Sequence, residues 1–563
     1  MASISEYTVW PVHRHKRYTE SGMKLPEMPI LADGFYKVGS SASLSFCADD
    51  VGGESMFESI LFASGTASHP APAEEPDFFH DLNLDQLVDR LARDHEHLRA
   101  IWYAPLDSVA AIHHRHEVMR DLQCDAVFHS IDTFGRGMKA VHASLTQVDA
   151  MYYRRQQQSW QLDAVKTYLR TVESLAVELS QVTLTSQGLK DLRGYLVEYV
   201  GSERFRTMVA ETKEVSGLLD ALVYNVVING TTVVVREPDD EVDYREAVEG
   251  VFARFRRRPS KDFRVTFSQP VAMNHVEAQI LEGVVRLYPE PFAALAAYDR
   301  RYRGRFMDEP VMRFDREIQF YTTYRELMSR EARLGVPFCY PDIADDDKAI
   351  FAADACDVML AEKLAHAGKP PVPNDFHLEG AERILVVSGP NQGGKTTFAR
   401  MVGQLHHLAR LGLPVPARQA RLYLCDHILT HFEREEDTAA LRGKLGDDLE
   451  RLRGIMSRAG PRSLVLLNEI FASTALKDAT YLGRKILEQI MERDMLAVIV
   501  TFIEEWATFS SATVSMVSAV DPEDPTVRTF KIVRRPPDGR SYAMTLAEKY
   551  GLTYDLVCRR FVP

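Results

Sequence analysis

Nowhere in the 563 residues is there an apolar run long enough to cross a bilayer as a helix, which excludes an integral helical membrane protein. The opening Met-Ala-Ser-Ile-Ser-Glu-Tyr lacks a basic segment followed by an apolar one, so nothing there directs secretion, and the expected location is cytoplasmic. Cysteine is scarce: Cys47, Cys124, Cys339, Cys356, Cys425 and Cys558 form no C-x-x-C pair, which argues against a zinc site or a disulfide framework. Basic charge is in deficit, with 67 Lys and Arg against 80 Asp and Glu, so any nucleic-acid contact has to come from local patches. No solenoid repeat is visible.

What is present is an ordinary globular composition, 45% apolar and 26% charged, in a chain too long for one core. Domains of ~100 to 200 residues predict about three or four of them. Residues 1–63 read as a small N-terminal region, and the Pro- and Ser-rich stretch 64–76 cannot continue a helix and reads as a linker. Residues 77–335 carry helical periodicity. Within them Leu162, Val165, Leu169, Val172, Ala176 and Leu179 keep the spacing that lines one face of a long helix, as in a bundle core. Residues 222–228 and 231–236 are rich in β-branched residues and meet at Asn229-Gly230, which predicts a hairpin with a type I′ turn. Two basic clusters follow, one holding Arg254, Arg256, Arg257, Arg258, Lys261 and Arg264, the other Arg300, Arg301, Arg303 and Arg305 with Tyr302 and Phe306 among them. Either can contact phosphates; each is equally a solvated helix face balanced by neighbouring acids.

From residue 336 onward strands and helices alternate, predicting an α/β domain with a mainly parallel sheet, so the fold class is multidomain α plus α/β. The chemistry is concentrated here. The apolar Ile384-Leu385-Val386-Val387-Ser388 runs directly into Gly389-Pro390-Asn391-Gln392-Gly393-Gly394-Lys395-Thr396-Thr397, and a helix pattern begins at once. In that context G-x-x-x-x-G-K-T is a strong P-loop signal: the glycines let backbone N–H groups curl round phosphates at a helix N-terminus. Lys395 is expected to reach the β- and γ-phosphates of ATP and the Thr396 hydroxyl to ligate Mg²⁺. Downstream, Ser463-Leu464-Val465-Leu466-Leu467 ends in Asn468-Glu469, the place of a Walker B segment. Asn468 stands where an Asp normally holds the metal's water shell, so weaker metal retention or slower turnover is expected, with Glu469 as general base.

The loop is similar to the Gly-Pro-Asn-Met-Gly-Gly-Lys-Ser-Thr of MutS proteins, a more specific pattern than a generic P-loop. Val372-Pro373-Asn374-Asp375 resembles the family's Val-Pro-Asn-Asp segment, which implies that Asn374 helps to hold the nucleotide base. Asn468-Glu469-Ile470-Phe471-Ala472-Ser473-Thr474 resembles Asp-Glu-Ile-Gly-Arg-Gly-Thr, and Ser541-Tyr542-Ala543 with Gly551-Leu552 resembles the family's closing pattern. More weakly, Asp81-Leu82-Asn83-Leu84 and Arg115-His116-Glu117-Val118-Met119 look like the start of its helical core or lever. Departures stand beside these matches. Residues 1–63 are too short for the family's mismatch-reading domain and carry no Phe-x-Glu wedge, and no nuclease-like extension is expected after the ATPase. Gly443-Lys444-Leu445-Gly446-Asp447 aligns with the signature loop that reaches a partner's γ-phosphate, with Leu445 at the Ser position, and Thr501-Phe502 replaces Thr-His.

The resemblance implies an ABC-type ATPase domain over 336–563, acting as a homodimer with ATP and Mg²⁺ and contacting mismatched, branched or otherwise structured DNA in repair or recombination control, with repair proteins as further partners. Arg256, Arg257, Arg258, Lys261, Arg301 and Arg303 are the expected DNA contacts, and Gly443 and Lys444 the loop supplied in trans. Two alternatives stand: a degenerate nucleotide-switch scaffold that binds ATP and protein partners without DNA, and a small-molecule kinase, for which no phosphoacceptor site is seen.

Overall fold

The computed structural model describes residues 57–63, 74–229, 232–238, 273–432, 444–524 and 527–537. The expectations for residues 1–56, most of the linker, the first basic cluster, Gly443 and the closing segment from Ser541 fall outside them.

The helices are α1 (Leu84–Leu91), α2 (Arg99–Tyr103), α3 (Val109–Asp121), α4 (Asp125–Ala150), α5 (Arg154–Ser180), α6 (Gln187–Gly201), α7 (Glu203–Asp220), α8 (His275–Leu287), α9 (Pro289–Tyr302), α10 (Glu309–Ala332), α11 (Val358–Ala365), α12 (Lys395–Arg410), α13 (Lys444–Arg458) and α14 (Leu476–Glu492). The strands are β1 (Asn225–Asn229), β2 (Thr232–Arg236), β3 (Asp342–Ala344), β4 (Ile350–Ala355), β5 (Asn374–Leu378), β6 (Ile384–Ser388), β7 (Gln419–Tyr423), β8 (Ile428–His431), β9 (Leu464–Asn468), β10 (Leu496–Val500), β11 (Thr513–Val520) and β12 (Arg528–Arg534). None of the described helices is long and apolar enough to cross a membrane.

Two compact units form. One takes in Thr133–Glu178 and Gly194–Asp308, the other Phe57–Asp132, Leu179–Arg193 and Glu309–Pro563. The described residues of the first are helical apart from the β1–β2 hairpin. All six apolar residues of the expected stripe on α5 are buried. In the same unit Tyr168 and Tyr199 bring their hydroxyls to 3.3 Å, and the Asp308 N–H donates to Tyr168 at 3.0 Å. In the hairpin Asn229 pairs with Thr232, so Asn229 belongs to β1 rather than to the turn that the sequence suggested. The turn signal set the hairpin's existence, while pairing of the β-branched residues on both sides set its register.

The second unit holds the site. Its six-stranded sheet has the order β12-β11-β6-β10-β9-β8, parallel from β8 to β11, with β12 antiparallel at the edge. The central strands β6, β9 and β10 are buried at every position and are nearly uninterrupted apolar runs, as expected of a parallel sheet covered on both faces. A four-stranded mixed sheet, β3-β7-β4-β5, lies on the other side of α12. That helix touches β9 and β10 of one sheet and β7 of the other, so it forms a middle layer. At Gly403 a Cβ would lie 2.6 Å from Leu466 and 2.7 Å from Leu82, a closeness only glycine allows.

Burial of α12 leaves its polar side chains to find partners inside. Gln404 donates to Leu82 O at 2.9 Å and to Asp357 Oδ1 at 3.1 Å, and accepts from the Val358 N–H at 3.0 Å. Arg400 donates to Asp81 O, and the Asp81 carboxylate accepts from Thr430. Residues 57–63 belong to this unit as well: Glu317 on α10 accepts from Ser59 and the Ile60 N–H, and Arg115 on α3 donates to Leu61 O and Leu411 O between the rings of Phe62 and Phe320.

His406 and His407 on α12 are buried, and burial pushes their imidazoles down to about 4 and about 3. The unfolded chain binds protons below about 6.5 that these folded residues refuse. Stability is therefore fully present above that pH and falls as pH drops toward 4, each histidine adding about 1 kcal/mol per pH unit to the slope. Denaturant titrations at pH 7 and pH 5 should show this loss, and His407→Gln, which removes one of the two groups, should shrink the difference.

Candidate nucleotide site

β6 ends at Ser388 and α12 begins at Lys395, so Gly389, Pro390, Asn391, Gln392, Gly393 and Gly394 form the connecting loop. Gly389, Gln392 and Gly394 have φ of 117°, 60° and 91°. For Gln392 that left-handed geometry costs roughly 1 to 2 kcal/mol, a strain of the kind that concentrates at functional sites. One side of the loop is pressed against β11. A Cβ on Gly393 would lie 2.2 Å from Ser518 Oγ, and one on Gly389 3.0 Å from Ser518 Cβ. The Ser518 hydroxyl donates to Gly393 O at 2.9 Å. At Gly394 the nearest atoms to such a Cβ belong to Phe530, 3.7 to 3.9 Å away, so β12 lies in van der Waals contact with this side of the helix N-terminus.

Lys395 folds back into the loop. Its Nζ donates to Gly389 O at 2.9 Å, Pro390 O at 3.3 Å and Asn391 Oδ1 at 3.1 Å, and lies 3.8 Å from Glu469 Oε1. Burial holds its pKa below the ordinary lysine value; Glu469 works against that shift and the Arg528 charge adds to it. A buried ammonium that satisfies itself on loop carbonyls is a cation held ready for an anion. Thr396 and Thr397 stand in the first turn of α12, and the Thr396 hydroxyl donates to Asn468 Oδ1 at 3.0 Å.

Asn468 ends β9 with its side chain buried, and Glu469 follows with φ 53° and its N–H on Val500 O at 2.9 Å. The parallel register of β9, β10 and β6 thus brings Asn468, Glu469 and the P-loop to one end of the sheet. Phe502, just past β10, is half exposed there, while Thr501 turns inward and accepts from the Ile503 N–H. The residues present fit a nucleotide's phosphates: loop amides at a helix N-terminus and an inward lysine. The donor set for a metal is poorer, two neutral oxygens that bond to each other and one carboxylate beside a lysine.

Asn374 opens β5 and ties that sheet to β12. Its amide donates to Phe530 O at 3.2 Å and Val372 O at 3.3 Å, and its oxygen accepts from the Ile532 N–H at 2.7 Å. Leu445, at the expected serine position of the signature loop, packs against the apolar core under α13 and α14. Lys444 is the first residue of α13. Arg301 pairs with Glu211, and Arg303 with the fully buried Asp299, which also meets Arg154. Arg256, Arg257, Arg258 and Lys261 lie outside the described residues. Ser518, Arg528 and Phe530 were missed by the sequence reading. They sit far along the chain on β11 and β12, and no local motif marks them, because only strand pairing with β6 brings them to the loop.

The sequence profile described as MutS domain V matches residues 385–560. The chain is 32% identical over 191 residues to the Endonuclease MutS2 of Thermomicrobium roseum, covering 33% of this chain and 24% of that relative. It is 31% identical over 156 residues to the DNA mismatch repair protein MutS of Granulibacter bethesdensis, with 28% and 17% covered. A longer match, 332 residues at 28% identity, joins it to the Endonuclease MutS2 of Thermus thermophilus and covers 56% of this chain and 43% of the relative. The chain therefore spans less than half the length of each of these relatives.

Replacing Asn374 with Ala leaves the Ile532 N–H without its acceptor and removes two of the hydrogen bonds that join β5 to β12. The expected loss is ~1 to 3 kcal/mol of stability, read as a lower midpoint in denaturant with an unchanged slope.

Proposed function

Because the chain belongs to the MutS family, we propose that it is an ATP-binding, DNA-contacting protein in which nucleotide state controls how DNA is held. The observation that carries this is the convergence of Lys395, Thr396, Asn468 and Glu469 at one end of the parallel sheet, at the N-terminus of α12. Backbone amides from Gly389 to Gly394 hold the phosphates and Lys395 adds charge to the β- and γ-positions. Thr397 closes the loop, and Glu469 polarises the attacking water. Asn374 acts on the nucleotide base through the strand edge it holds together. Magnesium, when bound, offsets phosphate charge; Thr396 would ligate it and Asn468 would accept from its water shell.

Hydrolysis is slow, because Asn468 brings no charge to the metal and Glu469 shares its carboxylate with Lys395. The working assembly is a homodimer in which Gly443 and Lys444 of each chain close on the other's nucleotide. The DNA is mismatched, branched or otherwise structured, recognised by shape, with the basic residues at 254–264 and 300–305 as contacts. The pairing of Arg301 and Arg303 with carboxylates, together with Leu445 in the core and Phe502 in place of an imidazole, favours a second reading: a nucleotide switch that scaffolds proteins without DNA.

The two readings separate in one assay, ATP hydrolysis by the full chain with plain, mismatched and branched DNA. The DNA reading expects structured DNA to raise turnover, Glu469→Gln to lower it ~100-fold with nucleotide still bound, and Lys395→Ala to abolish binding. DNA retention should also weaken steeply with salt. ATP binding with no DNA retained and no change in turnover would leave the scaffold switch.

A further inference from the structure

The metal side of this site is weak and its cation side is strong. The Thr396 hydroxyl and the Asn468 amide oxygen, both neutral, are 3.0 Å apart and hydrogen-bonded to each other. Glu469, the carboxylate at the end of β9, has Oε1 3.8 Å from Lys395 Nζ, so its charge is already opposed. Among the described residues no group of three or more His, Cys, Asp and Glu is placed to hold a metal ion.

A second cation reaches the loop from elsewhere in the fold. Arg528 opens β12, and its Nε donates to Asn391 O at 3.3 Å. It is close enough for its charge to act on Lys395. The β11–β12 pairing holds it there: Val520 faces Arg528 across the ladder, and Ser518, two residues before Val520, is the side chain on which Gly389 and Gly393 rest. Among the described residues the P-loop is thus bordered by Lys395 and Arg528 against the carboxylate of Glu469. An aspartate at 468 would bring that local sum to zero and give a divalent ion something to hold; an asparagine leaves it positive. A polyphosphate needs its charge offset by some cation, and a guanidinium with donors in a fixed fork suits phosphate oxygens.

We propose that Arg528 supplies part of the countercharge that a magnesium ion would otherwise provide, so that this site binds nucleoside polyphosphates with little dependence on magnesium. The inference rests on the nucleotide-binding reading above and specifies the cation requirement of the same site.

The test is a titration of the full chain with the fluorescent analogue mant-ADP, in EDTA and in excess magnesium, for the wild type, Arg528→Ala, Arg528→Lys and Asn468→Asp. The wild type is expected to give dissociation constants within about threefold of each other in the two buffers. Arg528→Ala should weaken binding in EDTA by roughly tenfold, the size of one charge-assisted contact, with part of the loss recovered in magnesium. Arg528→Lys keeps the charge and should recover most of the affinity in EDTA, which separates lost countercharge from a damaged strand. Asn468→Asp should create a magnesium requirement, binding more weakly in EDTA and more tightly with the metal. A wild type that binds mant-ADP in magnesium but loses it more than about tenfold in EDTA, a difference beyond 1.4 kcal/mol, overturns the inference and leaves nucleotide binding standing. So does an Arg528→Ala protein that melts and binds like the wild type in EDTA. Absence of mant-ADP binding in both buffers overturns the nucleotide reading itself.

Discussion

A helix buried between two sheets, with the glycine loop at its N-terminus, is the constraint from which the second unit follows. α12 contacts strands of both sheets, and its side chains from Phe398 to Arg410 are almost all buried. Apolar burial supplies the driving force, but a middle-layer helix also carries polar groups that water can no longer reach. Gln404 satisfies its side chain with three hydrogen bonds inside the protein, while His407 meets Trp102 O with its Nε2 at 3.1 Å and leaves its buried Nδ1 without a hydrogen-bond partner among the described residues. Those bonds fix α12 to the segment before α1 and to the N-cap of α11, and so fix where its first turn points.

Everything at the phosphate loop depends on that placement. Ser518 supports the loop from behind, Lys395 crosses it in front, and the N-terminal end of the helix dipole adds to the field of the lysine. The Walker B strand reaches the same place because β9, β10 and β6 are parallel and in register, so their C-terminal ends coincide. Asn468 therefore meets Thr396 directly, and a substitution that looks minor in the sequence changes the charge at the centre of the site.

The β5–β12 connection has a comparable role at the edge. Asn374 belongs to the four-stranded sheet and bonds to backbone groups of the six-stranded one. Its amide is consumed by that bridge, which fixes the position of Phe530 and Ile532. The same edge strand carries Arg528 to the loop.

Much of this was legible in the residues themselves. Strand β6, the glycine loop and the start of α12 are contiguous, and their order alone states a phosphate site, because local backbone geometry makes it. The buried stripe on α5 was legible for the same reason, since a helical period needs no distant partner to be seen. The hairpin register, the packing of Leu445 into the core and the carboxylate partners of Arg301 and Arg303 were not, since each depends on which residue the folded chain sets opposite. Motif by itself determined the glycine loop between β6 and α12 and the neutral Asn468 at the end of β9. Only the tertiary structure decided that Asn468 bonds Thr396, that Glu469 lies beside Lys395, and that Ser518 and Arg528 border the loop, because strand pairing joins residues from 72 to 137 positions apart.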